Sequence, residues 1–340
     1  MIKQYEFWHP RIFEAPYYAY LAIQCLRNGI GIRSLAKANY CLDHGEIGIG
    51  SKLDTQLTFD QTYFLPSMRL QASLSDAEKA QLLDTFIRQH QYPIILKSDV
   101  GCVGKGVCKI STDQELEKKI PLLLGDYIVQ KFTHLKEEYG VFYVRHKGKP
   151  KITGINKKHF PSIIGNGKDN IITLATQHPR YTHHWGTFLQ YFDTRQVPDE
   201  GERLLLSFIG SHTMGCMFTD DTHLITPAME QAIYSIFESQ PGYNFGRLDI
   251  KTANENEFKQ GIFKVIEVNG IASLPTHMFD PKYSIRQAYR IFFNHAKYLA
   301  LIAKEHQHQP MDFLSISEII ERVRANQSML NRVHQRLMQG

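Results

Sequence analysis

The 340-residue chain has no uninterrupted apolar run of 18 residues, so it offers no membrane span. Its first residues, Met1-Ile-Lys-Gln-Tyr-Glu-Phe-Trp, have no basic start leading into an apolar stretch, so no signal peptide is expected and the expected compartment is the cytoplasm. The five cysteines (Cys25, Cys41, Cys102, Cys108, Cys216) are odd in number and lack CxxC spacing. That argues against a disulfide framework and a zinc site, and for a reducing environment. The sixteen histidines include His183-His184 and His306-Gln-His308, neither at metal-ligand spacing. Charge of one sign is also scarce. The net charge of +5 is mild, and lysines and arginines do not crowd onto one helix, so no nucleic-acid footprint is read. Neither a GxGxxG fingerprint nor a Walker A loop is present, and no repeat or low-complexity tract appears.

What remains is an ordinary globular composition, 43% hydrophobic and 21% charged. Residues 1–70, rich in aromatics and glycine, are read as an N-terminal α/β segment with a helix over Tyr17–Leu26. Ser75-Asp-Ala-Glu78 and Thr112-Asp-Gln-Glu115 are capping-box patterns that open helices to about His90 and Leu124. Between them, strands are expected over Tyr92–Lys97 and Val107–Ile110. Further strands follow over Asp126–Phe132, Tyr139–Arg145 and Lys151–Lys158, and residues 165–200 read as irregular. Thr226–Gln240 reads as a helix. Beyond Pro281, Tyr283–Lys304 and a helix capped at Ser315 form a C-terminal helical pair. Its apolar spacing (Ile319, Ile320, Val323, Leu330, Val333, Leu337) indicates packing, with a homodimer contact as the alternative. The divisions are 1–70, 71–130, 131–282 and 283–340.

Two segments carry the chemistry. Gly246-Arg-Leu-Asp-Ile250 places Asp249 on one strand, and Phe263-Lys-Val-Ile-Glu-Val-Asn-Gly270 places Glu267 and Asn269 two apart, on one face of the next. Paired as a hairpin, three oxygen ligands and the Arg247 guanidinium converge. Hard oxygen donors suit magnesium, which usually arrives with phosphates, and an arginine nearby suits phosphoryl charge. The alternative is turn or solvated-edge residues, although an unpaired Glu267 on an otherwise apolar strand would be costly to bury.

Lys97 ends a strand and leads into a loop with Gly101, Gly104 and Gly106. Glycines let backbone N–H groups reach anionic oxygens, and the lysine adds a point charge. An ordinary glycine-rich hairpin is the alternative. Ile128-Val-Gln-Lys-Phe132 could meet an adenine edge, and Glu137 or Glu138 could accept ribose hydroxyls or lie in a solvated loop.

The order of these motifs resembles the ATP-grasp superfamily, in the carboxylate–amine ligase branch of D-alanine–D-alanine ligase and the grasp of cyanophycin synthetase. The resemblance spans about residues 90–280. It rests on Pro93-Ile-Ile-Leu-Lys97, Val129-Gln-Lys-Phe132, Gly165-Asn-Gly-Lys-Asp-Asn-Ile171 (similar to a GDGxxTI segment), Gly246-Arg-Leu-Asp249 and Val265-Ile-Glu-Val-Asn-Gly270. It implies an α+β fold in which two subdomains clamp ATP and C-terminal helices buttress the core. By it, Lys97 and the loop containing Gly101, Gly104 and Gly106 bind phosphates. Gln130, Lys131 and Phe132 line the adenine pocket, and Glu138 holds the ribose. Lys157, or its neighbour Lys158, adds a phosphate lysine. Arg247 stabilises the transferring phosphoryl group together with Lys97. Asp249, Glu267 and Asn269 hold magnesium, as two ions, with manganese a substitute. The implied activity joins a small-molecule carboxylate to an amine through an acyl phosphate. A small-molecule kinase, or a nucleotide-binding protein without turnover, are the alternatives. Gln130 stands where the family often has glutamate. Gly270-Ile-Ala-Ser-Leu-Pro-Thr-His277 departs from the D-alanine pattern, so that substrate is not supported. Ser51-Lys52 could approach the site or simply be solvated.

Overall fold

The computed structural model describes residues 2–47, 49–101, 106–181 and 195–339. Helices are α1 (Pro10–Arg27), α2 (Lys52–Leu57), α3 (Asp76–His90), α4 (Asp113–Lys119), α5 (Ile171–Gln177), α6 (Pro227–Glu238), α7 (Glu255–Lys259), α8 (Ile285–Glu305) and α9 (Ile316–Gln339). Strands are β1 (Ser67–Leu70), β2 (Ile94–Ser98), β3 (Cys108–Ile110), β4 (Tyr127–Lys131), β5 (Glu137–His146), β6 (Lys149–His159), β7 (Ser162–Ile164), β8 (Arg203–Leu205), β9 (Met217–Asp220), β10 (Phe245–Thr252) and β11 (Lys264–Asn269).

The strands form an α+β architecture around two antiparallel sheets. A small sheet has the order β1-β4-β2-β3, and a large one β11-β10-β5-β6-β9; β7 and β8 pair separately. The small sheet closes over its own apolar core with Leu83 and Phe86 of α3. The large sheet is amphipathic by alternation. On β5, Tyr139, Val141 and Tyr143 pack with Ile233 and Phe237 of α6, so Glu138, Gly140 and Phe142 face the opposite side. Burial of each such aromatic side chain is worth about 1.5–3 kcal/mol.

The N-terminal segment differs from the α/β expectation. Its described residues form helices and 3-10 turns until β1, which belongs to the small sheet. α1 begins at Pro10, seven residues before the expected start at Tyr17, and contains Pro16. Phe13, Tyr17 and Leu21 recur every fourth residue and are buried. Tyr17 stacks on Phe292 of α8 at 4.1 Å between centroids, so the aromatics of residues 5–20 are largely helix packing. The Ser75–Glu78 capping box forms as expected. At α4 the helix gives way to a 3-10 turn at Ile120, and the Glu115 carboxylate accepts from the Ser111 N–H instead of closing a box on Thr112.

The region from 165 to 200 contains α5, capped by Asn170; His183, His184 and most of the Trp-containing stretch lie outside the described residues. The last helix does not pack over its whole apolar spacing. Ile320 and Val323 are exposed, whereas Leu330 and Val333 are buried. Val333 joins the small-sheet core, and Leu330 lies against Gly101. α9 therefore reaches across to the small sheet. No described helix is long and apolar enough to cross a membrane, and the four described cysteines form no disulfide.

Candidate active site

β10 and β11 pair antiparallel with Asp249 opposite Glu267 and Arg247 opposite Asn269. Directly opposed residues have Cβ atoms about 4.5–5.5 Å apart, so all four side chains share one small area. The register slips between Asp249 and Ile250, whose partner is Val265. Ile266 is thus the extra residue of a β-bulge. The bulge lets Val265 enter the core while Glu267, two positions on, faces the other side. It also exposes the Ile266 carbonyl, which accepts from the Lys97 ammonium at 2.9 Å. Lys97 stands on β2 of the small sheet, so this bond joins the two sheets.

Two like charges placed opposite each other destabilise a strand pair, and here nearby cations compensate them. Arg247 Nε lies 2.8 Å from Asp249 Oδ1, and its Nη2 donates to Oδ2 at 3.0 Å. Lys158 of β6 reaches the same Oδ1 at 3.3 Å and Glu138 Oε1 at 2.8 Å. Lys251 of β10 meets Glu138 Oε2 at 3.2 Å. Lys52 of α2 bonds Glu267. Burial alone would raise the Glu267 carboxyl, but Lys52, Lys97 and Arg247 outweigh it and hold it at about 2. At Glu138 the same contest is won by Lys158 and Lys251, which leave it below the ordinary carboxylate range. Lys97 goes the other way: its burial lowers the ammonium despite Glu267 and Asp249.

Gly140 makes this packing feasible. A Cβ there would lie 2.1 Å from Asn156 Oδ1 and 3.2 Å from Arg247 Cδ. It is opposite Asp249 on β10 and Asn156 on β6. The absence of a side chain leaves room for the Asn156 amide and the Arg247 stem.

These groups line a cavity of about 1110 Å³ between the sheets. At its other side Lys97 donates to Gln130 Oε1 at 3.3 Å, and Gln130 donates to Ser67. Lys131 and Phe132 line the wall, with the Lys109 ammonium 4.5 Å from the Phe132 ring centre. Ser98 and Gly101 border it, and Gly106 lies by Tyr127 and Val333; Gly104 is outside the described residues.

Glu138 is not in a solvated loop but on β5, 4% exposed and held between two lysines. Lys157 pairs with Glu137 at 2.6 Å; its neighbour Lys158 meets Asp249. Lys52 is in a helix, not a solvated loop, and reaches the centre. Lys251 also belongs to the site: RxDxK alternation (Arg247, Asp249, Lys251) places it on the same face as the motif.

The described residues contain no group of three or more His, Cys, Asp or Glu side chains placed to hold a metal. The donor set is two carboxylates and the Asn269 amide, whose Nδ2 lies 3.4 Å from Asp249 Oδ2. Magnesium commonly takes one or two protein carboxylates and completes its shell with water and phosphate oxygens, so these residues fit such an ion.

No family model matches the chain, and no curated protein matches it in sequence. Solved structures do. The D-alanyl-alanine synthetase A of Vibrio cholerae aligns over 77% of this chain and 66% of its own, at 12% identity and a TM-score of 0.42. The D-alanine–D-alanine ligase of Bacillus anthracis aligns over 83% and 69%, at 12% identity and 0.40. A bifunctional glutathione synthetase from Pasteurella multocida aligns over 72% of this chain at 14% identity and 0.37; the chain spans 36% of its length.

Proposed function

We propose that this chain is an ATP-grasp enzyme that uses ATP and magnesium to join a small-molecule carboxylate to an amine. The observation that carries this reading is the joined centre itself. Five cations (Lys52, Lys97, Lys158, Lys251, Arg247) meet three carboxylates (Asp249, Glu267, Glu138), an excess of two positive charges in a cavity between two sheets. Such a centre suits polyphosphate.

In this reading Lys97, the glycine segment and Lys158 bind the phosphates, and Gln130, Lys131 and Phe132 form the adenine wall. Glu138 orients Lys158 and Lys251, a different task from accepting ribose hydroxyls. Asp249, Glu267 and Asn269 would hold magnesium, which would supply charge neutralisation for the bound phosphates. A carboxylate oxygen of the substrate attacks the γ-phosphorus and the bond to ADP breaks. The amine nitrogen then attacks the acyl carbon, phosphate leaves, and the amine loses a proton. Arg247 stabilises charge on the transferring group. Fixed positioning and charge do the work, without covalent chemistry by the protein.

The test is phosphate release from ATP across panels of carboxylates and amines. Release that requires both partners, and falls at least about 100-fold in Asp249→Asn and Glu267→Gln, is the expected result. Unchanged turnover in both variants overturns the site. A stable phosphorylated product from one substrate alone would make the chain a kinase.

A further inference from the structure

We propose that Lys52 is the place-holder of the divalent cation: it neutralises Glu267 in the metal-free protein, leaves when the ion enters, and passes its ammonium to the anionic oxygens of the bound phosphate. This rests on the metal reading above. It concerns a residue outside the strand motifs, on the short helix α2.

Lys52 is placed by construction. Asp99, 2% exposed and two residues beyond Lys97, accepts from the Lys52 N–H through its carbonyl at 3.0 Å. Its carboxylate accepts from the Leu53 N–H at 2.9 Å. Arg69 of β1 donates to the Ser51 cap at 2.9 Å and pairs with Asp54 at 2.6 Å. The first turn of α2 is therefore tied to the same sheet that carries Lys97, and the side chain crosses the cavity to Glu267 on the other sheet.

The two lysines near Glu267 differ. Lys97 is anchored on the Ile266 carbonyl and Gln130. It keeps these partners whatever Glu267 binds. Lys52 is bonded to the carboxylate that a divalent ion would take. An ion there brings two positive charges beside the ammonium, and Coulomb repulsion at that separation favours exchange over coexistence. The four-carbon stem of lysine allows the ammonium to swing while α2 stays fixed.

The experiment measures Mn2+ binding to the nucleotide-free protein by electron paramagnetic resonance. Lys52→Met should bind Mn2+ about tenfold more tightly than the unmutated protein, a common size for coupled sites, and Lys52→Arg should stay near it. Glu267→Gln should lose binding. If Glu267→Gln keeps the unmutated affinity, the metal reading fails. If it loses affinity but Lys52→Met gains none, the place-holder alone fails. With Mg2+ saturating, Lys52→Met should weaken ADP binding about tenfold, the worth of one charge-assisted hydrogen bond; unchanged ADP affinity overturns the transfer to phosphate. A further measurement reads the lysine itself: with lysines 13C-dimethylated and Lys52→Arg used only to assign the signal, the Lys52 resonance of the unmutated chain should move on adding Mg2+, and a stationary signal overturns the exchange.

Discussion

Lys158→Met tests whether the central charges form one network. The Lys158 side chain is 6% exposed and touches Glu138 at 2.8 Å and Asp249 at 3.3 Å. Methionine keeps most of the volume and removes the charge. Glu138 retains Lys251 and Asp249 retains Arg247, so neither is wholly orphaned, but each loses a buried partner. Removing one member of a buried ion pair costs about 3–5 kcal/mol. Unfolding entropy of about 2.1 cal/mol/K per residue gives roughly 0.7 kcal/mol/K for a chain of this length. The transition should therefore fall by about 4–7 °C in calorimetry. The second arm is Lys158→Met with Glu138→Gln. Making Glu138 neutral removes the uncompensated carboxylate and should restore at least about half of the loss, since much of the cost is the stranded charge. A shift below about 1 °C, or a double variant no better than the single, would refute the network.

Three further outcomes follow from particular contacts. Gly140→Ala should cost at least about 2 kcal/mol in chemical denaturation, because its Cβ would overlap the Asn156 amide and press on Arg247; a loss under about 0.5 kcal/mol would mean the sheet yields there. Burial, against the pull of Asp220, lowers His277 to about 4, while an unfolded histidine protonates near 6.5. The unfolded chain therefore binds the extra proton first, and stability is lost as pH falls from about 6.5 to about 4, by about 3 kcal/mol. His277→Leu should flatten that limb in pH-dependent denaturation, and an unchanged slope counts against it. Glu267, lowered to about 2, contributes stability that is present above about pH 4.3 and lost as pH falls toward about 2. Glu267→Gln should remove that acid loss, and an identical acid profile would show that the lysines do not compensate it.

The legible part of the site was the part that depends on alternation within a strand. Arg247 and Asp249 share a face because they are two apart, and Glu267 and Asn269 share one for the same reason; the hairpin then needs only to pair. The small-sheet elements were legible for a similar local reason, with capping residues at Ser75 and apolar strands around Ile94 and Val129. What could not be read is set by register and tertiary placement. Whether Lys157 or Lys158 faces Asp249 depends on which residue of β6 lies opposite Gly140, and that residue is Asn156. Lys158, two beyond, shares its face, while Lys157 meets Glu137 on the other. The bulge at Ile266 has no composition of its own, yet it decides that Val265 and Glu267 point to opposite sides.

The same reasoning explains why the lysine partners of Glu138 and the reach of Lys52 to Glu267 are not legible in the sequence. A carboxylate after an aromatic hinge reads as a hydroxyl acceptor when only the chain order is known. Its two lysine partners lie 20 and 113 positions away on β6 and β10, and no local pattern connects them. Lys52 is 215 positions from Glu267, and its path to the site runs through Asp99, Arg69 and the Ser51 cap, residues that individually look like ordinary turn and surface chemistry. Charge compensation is a property of the closed cavity. Three carboxylates on one sheet face would repel one another in an isolated sheet, so the fold holds them only because β2, β6, β10 and α2 deliver cations to the same point. That requirement makes the small sheet and α2 part of the site's stability as well as of its ligand binding, and it places this coupling at the boundary where the two sheets meet.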